Sequence, residues 1–395
     1  MKYELGTFIV NDQKYTSLIE ATLEAQKTLT DIKWDFFSDR FNKVNWLVEP
    51  TPSLDELYKS RAQQIRDQYD YVIVMVSGGA DSTNVIKTFL NNNIPVDEVF
   101  CSAPLSGLDN WDWNENETSA YNTISETKFA LMPLLNEIKN TYPTLRITLH
   151  DSFQELLKIK DEEWLYKDSV SFIHPVTNVR TKLSSFKRLV DLAEQGKKIG
   201  IIWGVDKPIL NYDNHGNLYS VISNTIFDSF SSSFDTDYPN VDRIMFYHAR
   251  ESPEVLVKMS HAVAKFIHKR ENLHLTNKLG LNVPLWDFEK PFGKKIHIEV
   301  DYQREICPAI YPSTYKKVFQ CNKFISSKPP VESFVIPQHH WFESLHKDTR
   351  LYQMYKSDFD SFYKNINAKY LSQNKQSFLI YRQYYKIGHY TSFLS

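Results

Sequence analysis

Two short stretches of this chain hold residues whose types and spacing could do chemistry. The first is Ser77-Gly78-Gly79-Ala80-Asp81-Ser82. Adjacent glycines let the backbone take positive φ and approach a ligand with no Cβ in the way. A helix starting at Asp81, Ser82 and Thr83 would turn its unpaired N–H groups and the positive end of its dipole toward an anion. Ser77 and Ser82 add hydroxyl donors. Asp81 would repel a bare phosphate, so its place makes sense if it holds a Mg²⁺ ion that the phosphates also ligate. The second stretch is Gly204-Val205-Asp206-Lys207, which adds a carboxylate and an ammonium group.

The elements that must position these residues are legible from periodicity. Tyr71–Val76 is an apolar, β-branched run that reads as a buried parallel strand, and the helix after the glycines runs to Asn91. Val96–Cys101, Arg146–Leu149 and Ile199–Trp203 read as further strands. Residues 117–142 and 183–195 read as helices, with Gly196 stopping the second. Strands alternating with helices imply an α/β fold with a parallel sheet. Ligands in such sheets sit beyond the carboxyl ends of the strands, which predicts one crevice bordered by Ser77–Ser82, Cys101–Ala103 and Gly204–Lys207.

The first stretch resembles the SGGxDS signature of the N-type ATP pyrophosphatases, the PP-loop superfamily, which includes the synthetase domain of asparagine synthetase. All motif positions are filled, with strand and helix on either side. No Gly-Lys-Ser/Thr follows, so the loop is not a Walker A motif. The resemblance spans residues 66–215. It implies a parallel-sheet PP-loop domain (adenine nucleotide alpha hydrolase-like) with ATP and Mg²⁺ as cofactors. It places Ser77, Gly78, Gly79, Asp81, Ser82 and Gly204 on the nucleotide, and Cys101 and Ser102 beside adenine and ribose. In asparagine synthetase a Gly-x-Asp-Glu segment follows the strand that corresponds to Ile199–Trp203. Gly204 and Asp206 match it, which makes Asp81 and Asp206 the metal ligands and catalytic residues. Lys207, the third catalytic candidate, departs from it, bringing a positive charge where the family has a negative one, to bind phosphate or to be solvated.

The implied activity is an AMP- and pyrophosphate-forming ligase or modifying enzyme that adenylates a substrate oxygen for attack by an amine or ammonia. Three alternatives stay open: thiolation of a nucleobase, a nucleic-acid-modifying ligase, and a nucleotide-binding protein without catalysis. The acceptor is a small molecule or a nucleic acid. The amidotransferase cysteine of asparagine synthetase has no counterpart, because residue 2 is Lys2 and the first cysteine is Cys101. Nitrogen would therefore come from ammonia, an amine, or an amidotransferase or other amine-donor partner.

Composition narrows the class. The 395 residues are 42% hydrophobic and 24% charged, as in a soluble globular protein of two or three domains. A formal net charge of -2 argues against a wholesale polyanion binder while leaving room for a local basic face. Cys101, Cys307 and Cys321 form no CxxC pair, which argues against a zinc ribbon or a disulfide framework and for a reducing, cytoplasmic setting. Neither a signal-peptide pattern nor an apolar run near the roughly 18 residues of a membrane helix is visible.

The remaining sequence divides into an N-terminal extension, residues 1–65, and a mainly helical or irregular substrate or accessory region, residues 226–395, around a nucleotide-binding domain at 66–225. The extension is expected to hold a strand at Tyr3–Val10, a helix at Ser17–Leu29, and a helix capped by Ser53. Trp34, Phe36, Phe37, Phe41 and Trp46 are expected to cover one end of the main sheet. Between the third and fourth strands, Arg180 and Lys182 are phosphate candidates and Lys187 and Arg188 read as a solvated helix face. Beyond 226, Pro253–Arg270 reads as a helix carrying His261. His339, His340 and His346 lack zinc spacing. The tail from Phe378 to Tyr390 interleaves aromatics with bases, a pattern that suits stacking on nucleotides but is better explained by packing on the core.

Overall fold

The computed structural model describes residues 6–16, 18–103, 105, 127–151, 183–205, 207–213, 215–224, 238–269, 306–315, 364–371 and 379–394. The apolar runs become a five-stranded parallel sheet: β4 (Tyr71–Met75), β5 (Glu98–Ala103), β6 (Arg146–Asp151), β7 (Ile199–Trp203) and β10 (Val241–Met245), in the order β10-β7-β4-β5-β6. All five residues of β7 are buried, as a central strand covered on both faces requires. The chain runs outward from β4 to β5 and β6, then returns to lay β7 on the other side of β4. Strand order therefore reverses between β4 and β7, the point at which open α/β sheets offer a crevice.

Two smaller antiparallel sheets flank this one. Near the N-terminus, β1 (Thr7–Val10) pairs with β2 (Gln13–Tyr15) and β3 (Lys33–Asp35), with helix α1 (Leu18–Thr28) against them and the short helix α2 (Ser38–Phe41) after β3. After β7 comes the hairpin of β8 (Ile209–Tyr212) and β9 (Asn217–Ser223). Its turn is closed by Asp213, whose Oδ1 accepts the backbone N–H groups of His215 (2.8 Å) and Asn217 (2.9 Å). The tail strand β11 (Arg382–His389) completes that sheet on β9, with Tyr385 opposite Ser220.

Several expectations change here. The region after residue 225, expected to be mainly helical or irregular, also supplies two strands, β10 to the parallel sheet and β11 to the hairpin sheet. The N-terminal aromatics do not cap the main sheet. Trp46 stacks on Tyr385 of β11 with ring centroids 4.5 Å apart, and Phe41 lies 5.9 Å from the same ring. Tyr385 of the tail thus serves packing, as expected, whereas Tyr390 is exposed.

The predicted helix at 117–142 is described only from Thr127. There a π-helical turn (Thr127–Leu131) precedes the helix Met132–Thr141, because Pro133 cannot donate the i→i−4 bond that would continue an α-helix backward. Residues 183–195 likewise split into a 3₁₀ turn (Leu183–Ser185) and the helix Lys187–Glu194, before Gly196 at φ 78°.

Arg188 is not on a solvated face. It pairs with Glu98, which is fully buried at the start of β5, and donates to the Tyr71 hydroxyl at 2.7 Å. Tyr71 and Thr148 donate to the same carboxylate at 3.0 and 2.5 Å. A buried charge needs this degree of satisfaction.

Two helices pack against each other here. Ser53 caps α3 (Leu54–Gln68) through a reciprocal box with Glu56, each accepting the other's backbone N–H at 3.2 and 2.8 Å. Helix α4 (Ala80–Asn91) follows β4 and buries Val85, Ile86 and Phe89. No helix among the described residues is long and apolar enough to cross a membrane.

Candidate functional site

The site is built where β4 and β7 end. β4 stops at Met75, and the chain turns through Ser77-Gly78-Gly79 into α4. Gly78 has φ 91°, and a Cβ on it would lie 2.5 Å from the Leu131 nitrogen, so the turn needs glycine for both conformation and space. The π-helical turn thus lies against the loop. Ser82 ties the loop together: its hydroxyl accepts the Ser77 N–H (3.2 Å), lies 3.2 Å from the Ser77 hydroxyl and donates to the Gly79 carbonyl (3.2 Å). Gly79, the residue before the helix, offers no side-chain cap. The first N–H groups of α4 have no carbonyl partner within the helix, leaving donors at its positive dipole end.

Gly204 follows β7 and touches the start of α4. A Cβ there would lie 2.8 Å from the Asp81 carbonyl oxygen and 2.8 Å from Val85 Cγ2. This close approach brings Lys207 to Asp81, with Nζ 2.6 Å from Oδ2 and both side chains mostly buried. The ion pair spans the crevice between β4 and β7.

The other Asp81 carboxylate oxygen accepts from the Tyr311 hydroxyl, and the Asp81 backbone carbonyl accepts from Tyr247 at 2.9 Å. Tyr247 in turn accepts from Asn84 Nδ2 (2.9 Å), and Thr314 donates to Asn84 Oδ1. Tyr58 of α3 donates to the Ile310 carbonyl at 2.6 Å. The start of α4 is therefore clamped by segments around 247 and 306–315. Burial, then neighbouring charged or ionisable groups including Asp81, raises the pKa of Tyr58, Tyr247 and Tyr311 well above the usual phenol value, so all three stay neutral. His248 lies under the second stretch with Nδ1 3.3 Å from the Val205 carbonyl. Since a carbonyl only accepts, Nδ1 carries the proton. Burial pushes this imidazole down to about 4, so it is neutral.

Of the residues singled out from the sequence, Ser77, Gly78, Gly79, Asp81, Ser82, Gly204 and Lys207 come together here. Ser102 is half-buried at the carboxyl end of β5, in register with His150. Cys101 is fully buried, and burial pushes its thiol up to about 12. Its side chain packs in the core and so does not line the crevice. Asp206, Arg180, Lys182, Cys321, His339, His340 and His346 lie outside the described residues. Tyr247, Tyr311, Asn84 and His248 were not foreseen. The apolar run from Ile244 to Tyr247 was the available signal for a fifth strand, whereas Tyr311 carries no local signal at all.

The residues present are of types that suit phosphate, namely the amides of the α4 start with Lys207 beside them on Asp81, while the Ser77 and Ser82 hydroxyls bond within the loop. For a divalent cation the fit is conditional, because the Asp81 carboxylate already receives Lys207 and Tyr311. No group of three or more His, Cys, Asp or Glu side chains assembles among the described residues. A separate cleft of about 350 Å³ lies between α3 and the β10 edge, lined by Arg61, Tyr69, Lys198, Asp242 and Arg250, and shares no residue with the crevice. No protein-family model, curated protein or solved structure matches this chain.

Proposed function

We propose that the protein is an ATP pyrophosphatase of the PP-loop kind, which binds ATP at Ser77–Ser82 and cleaves it to AMP and pyrophosphate. The observation that carries this reading is the Asp81–Lys207 contact across the point where strand order reverses. It joins the two stretches that the sequence resemblance treats as parts of one site.

In this reading the first amides of α4 hold the leaving pyrophosphate, the Ser77 and Ser82 hydroxyls turn from their loop partners to donate to it, and Lys207 neutralises phosphate charge. Asp81 and Asp206 would hold Mg²⁺, which supplies charge stabilisation to the leaving group. An oxygen of a carboxylate, amide or nucleobase carbonyl attacks the α-phosphorus, and pyrophosphate leaves with the electron pair of the broken P–O bond. An amine or ammonia then attacks the adenylated carbon, AMP departs with the C–O electron pair, and the nitrogen loses a proton to solvent. The protein contributes chiefly position and charge. The acceptor is a small molecule or a nucleic acid, and the nitrogen source is ammonia, an amine or a partner protein.

A buried Cys101 thiol disfavours the thiolation reading at this position, because the thiolate is the reactive form. Incubation of labelled ATP with candidate acceptors, resolved by chromatography, tests the proposal. AMP and pyrophosphate are expected, with turnover lost in Asp81→Asn while its fold persists, since Asn still accepts from Tyr311. ADP as the only product would overturn it.

A further inference from the structure

The cleft between α3 and the edge strand β10 holds opposite charges that do not meet. Its volume of about 350 Å³ is at the small end for ligand pockets. The buried side chains of Ile65, Ile244 and Tyr69 give it an apolar lining, and Asp242, Lys198 and Arg250 add charge. Tyr69 donates to Asp242 Oδ2 at 3.1 Å, whereas Oδ1 is buried and accepts no hydrogen bond among the described residues. A desolvated oxygen without a donor is costly, and the half-buried Asp242 carboxylate is still within reach of a molecule in the cleft. Burial raises the Asp242 pKa, and Lys198 and Arg250 are among the groups that oppose this from a distance. Arg250 pairs instead with Glu251, Nε lying 2.9 Å from the carboxylate, and Lys198 is exposed.

We infer that this cleft binds a small zwitterion, an amine and a carboxylate joined by a short spacer, with its ammonium on Asp242 and its carboxylate toward Lys198 and Arg250. The mixed lining argues for both charges in one molecule. A plain anion would face the Asp242 and Glu251 carboxylates, and a plain cation would face Lys198 and Arg250. A zwitterion meets each charge with its opposite, and its ammonium brings Asp242 the donor that Oδ1 lacks. The methylene spacer would lie on Ile65 and Ile244. This inference is independent of the nucleotide reading, because the cleft and the crevice share no residue.

The test is calorimetric titration of the full chain with glycine, β-alanine, 4-aminobutyrate and 6-aminohexanoate, which carry the same two charges at rising separation. One of them is expected to bind with a dissociation constant of about 1 mM or lower. Its analogue without the amine and its analogue without the carboxylate should each bind about fivefold or more weakly, the upper range for one exposed ion pair. Asp242→Asn keeps an oxygen for the Tyr69 hydroxyl and should weaken the zwitterion about fivefold. Lys198→Gln, a change at an exposed side chain, should also weaken it and carries the test if Asp242→Asn fails to fold. Lys187→Met should match wild type, since Lys187 is exposed and pairs across its own helix turn with Asp191 at 2.8 Å. The inference is overturned if no member of the series binds, if either single-charge analogue binds as tightly, if neither cleft variant changes the affinity, or if the Lys187 control falls equally. Those results would leave the nucleotide reading standing. Displacement of the bound zwitterion by ATP, abolished in Asp242→Asn, would make the cleft a nucleotide site and overturn both.

Discussion

Gly204→Ala places one methyl group between β7 and α4. Its Cβ would lie 2.8 Å from the Asp81 carbonyl oxygen, 2.8 Å from Val85 Cγ2 and 2.9 Å from the Asp81 carbonyl carbon. Ordinary contact begins at 3.4 Å, so the strand end and the helix start must separate by about 0.6 Å (3.4 − 2.8). Two of the three obstructing atoms are backbone, held by Tyr247, and cannot rotate away. Overpacking of this kind costs about 1–3 kcal/mol, which urea denaturation would register as a lower midpoint at unchanged slope. The displaced residue is Asp81, so Mg·ATP affinity measured by calorimetry should fall as well. Gly196→Ala is the contrast: nothing lies within 4 Å of the added Cβ, but φ is 78°. It should cost about 1–2 kcal/mol from left-handed backbone alone and leave nucleotide binding unchanged. A Gly204→Ala protein with wild-type stability and affinity would refute the close approach on which the site is built.

Further outcomes follow from the buried groups. Arg188→Met strands the buried Glu98 carboxylate and should destabilise by about 2 kcal/mol, less than a wholly buried pair because Arg188 is partly exposed; a change under about 0.5 kcal/mol would contradict the pairing. His248 is buried neutral with its pKa lowered to about 4, so its contribution is complete above the unfolded value of 6.5 and is lost as pH falls toward 4. That gap is worth about 3 kcal/mol, and denaturation between those limits should show a shallower pH dependence in His248→Gln than in wild type. Cys101→Ala should lose stability, as a truncated core residue does, yet retain ATP cleavage; a folded but inactive variant would favour a sulfur relay.

What could be read from the sequence was local. The unit β4–loop–α4 was legible because an unbroken apolar run, two glycines and a helix start lie within one short segment. β7 and Gly204 were legible for the same reason. The missed elements have partners far along the chain. β10 carries Asp242 and Arg243 between its apolar residues, so the short run from Ile244 is a weak signal until the pairing with β7 is seen. β8 and β9 are completed by β11 at Arg382–His389. Lys207 read as solvated or phosphate-binding, whereas here it is paired with Asp81. Arg188 read as surface because helix periodicity cannot reveal a buried Glu98 across the sheet. Tyr311 lies 230 positions from Asp81, and no spacing rule joins them.

The central claim is that the crevice between β4 and β7 holds the phosphates of ATP. A crystal structure of the protein with Mg²⁺ and α,β-methylene-ATP measures this most directly. Triphosphate density is expected over Ser77–Ser82, with Lys207 moved from Asp81 onto a phosphate oxygen and Tyr311 still on Asp81. Nucleotide bound elsewhere, such as in the cleft beside Arg61 and Asp242, with the Asp81–Lys207 pair intact, would contradict it.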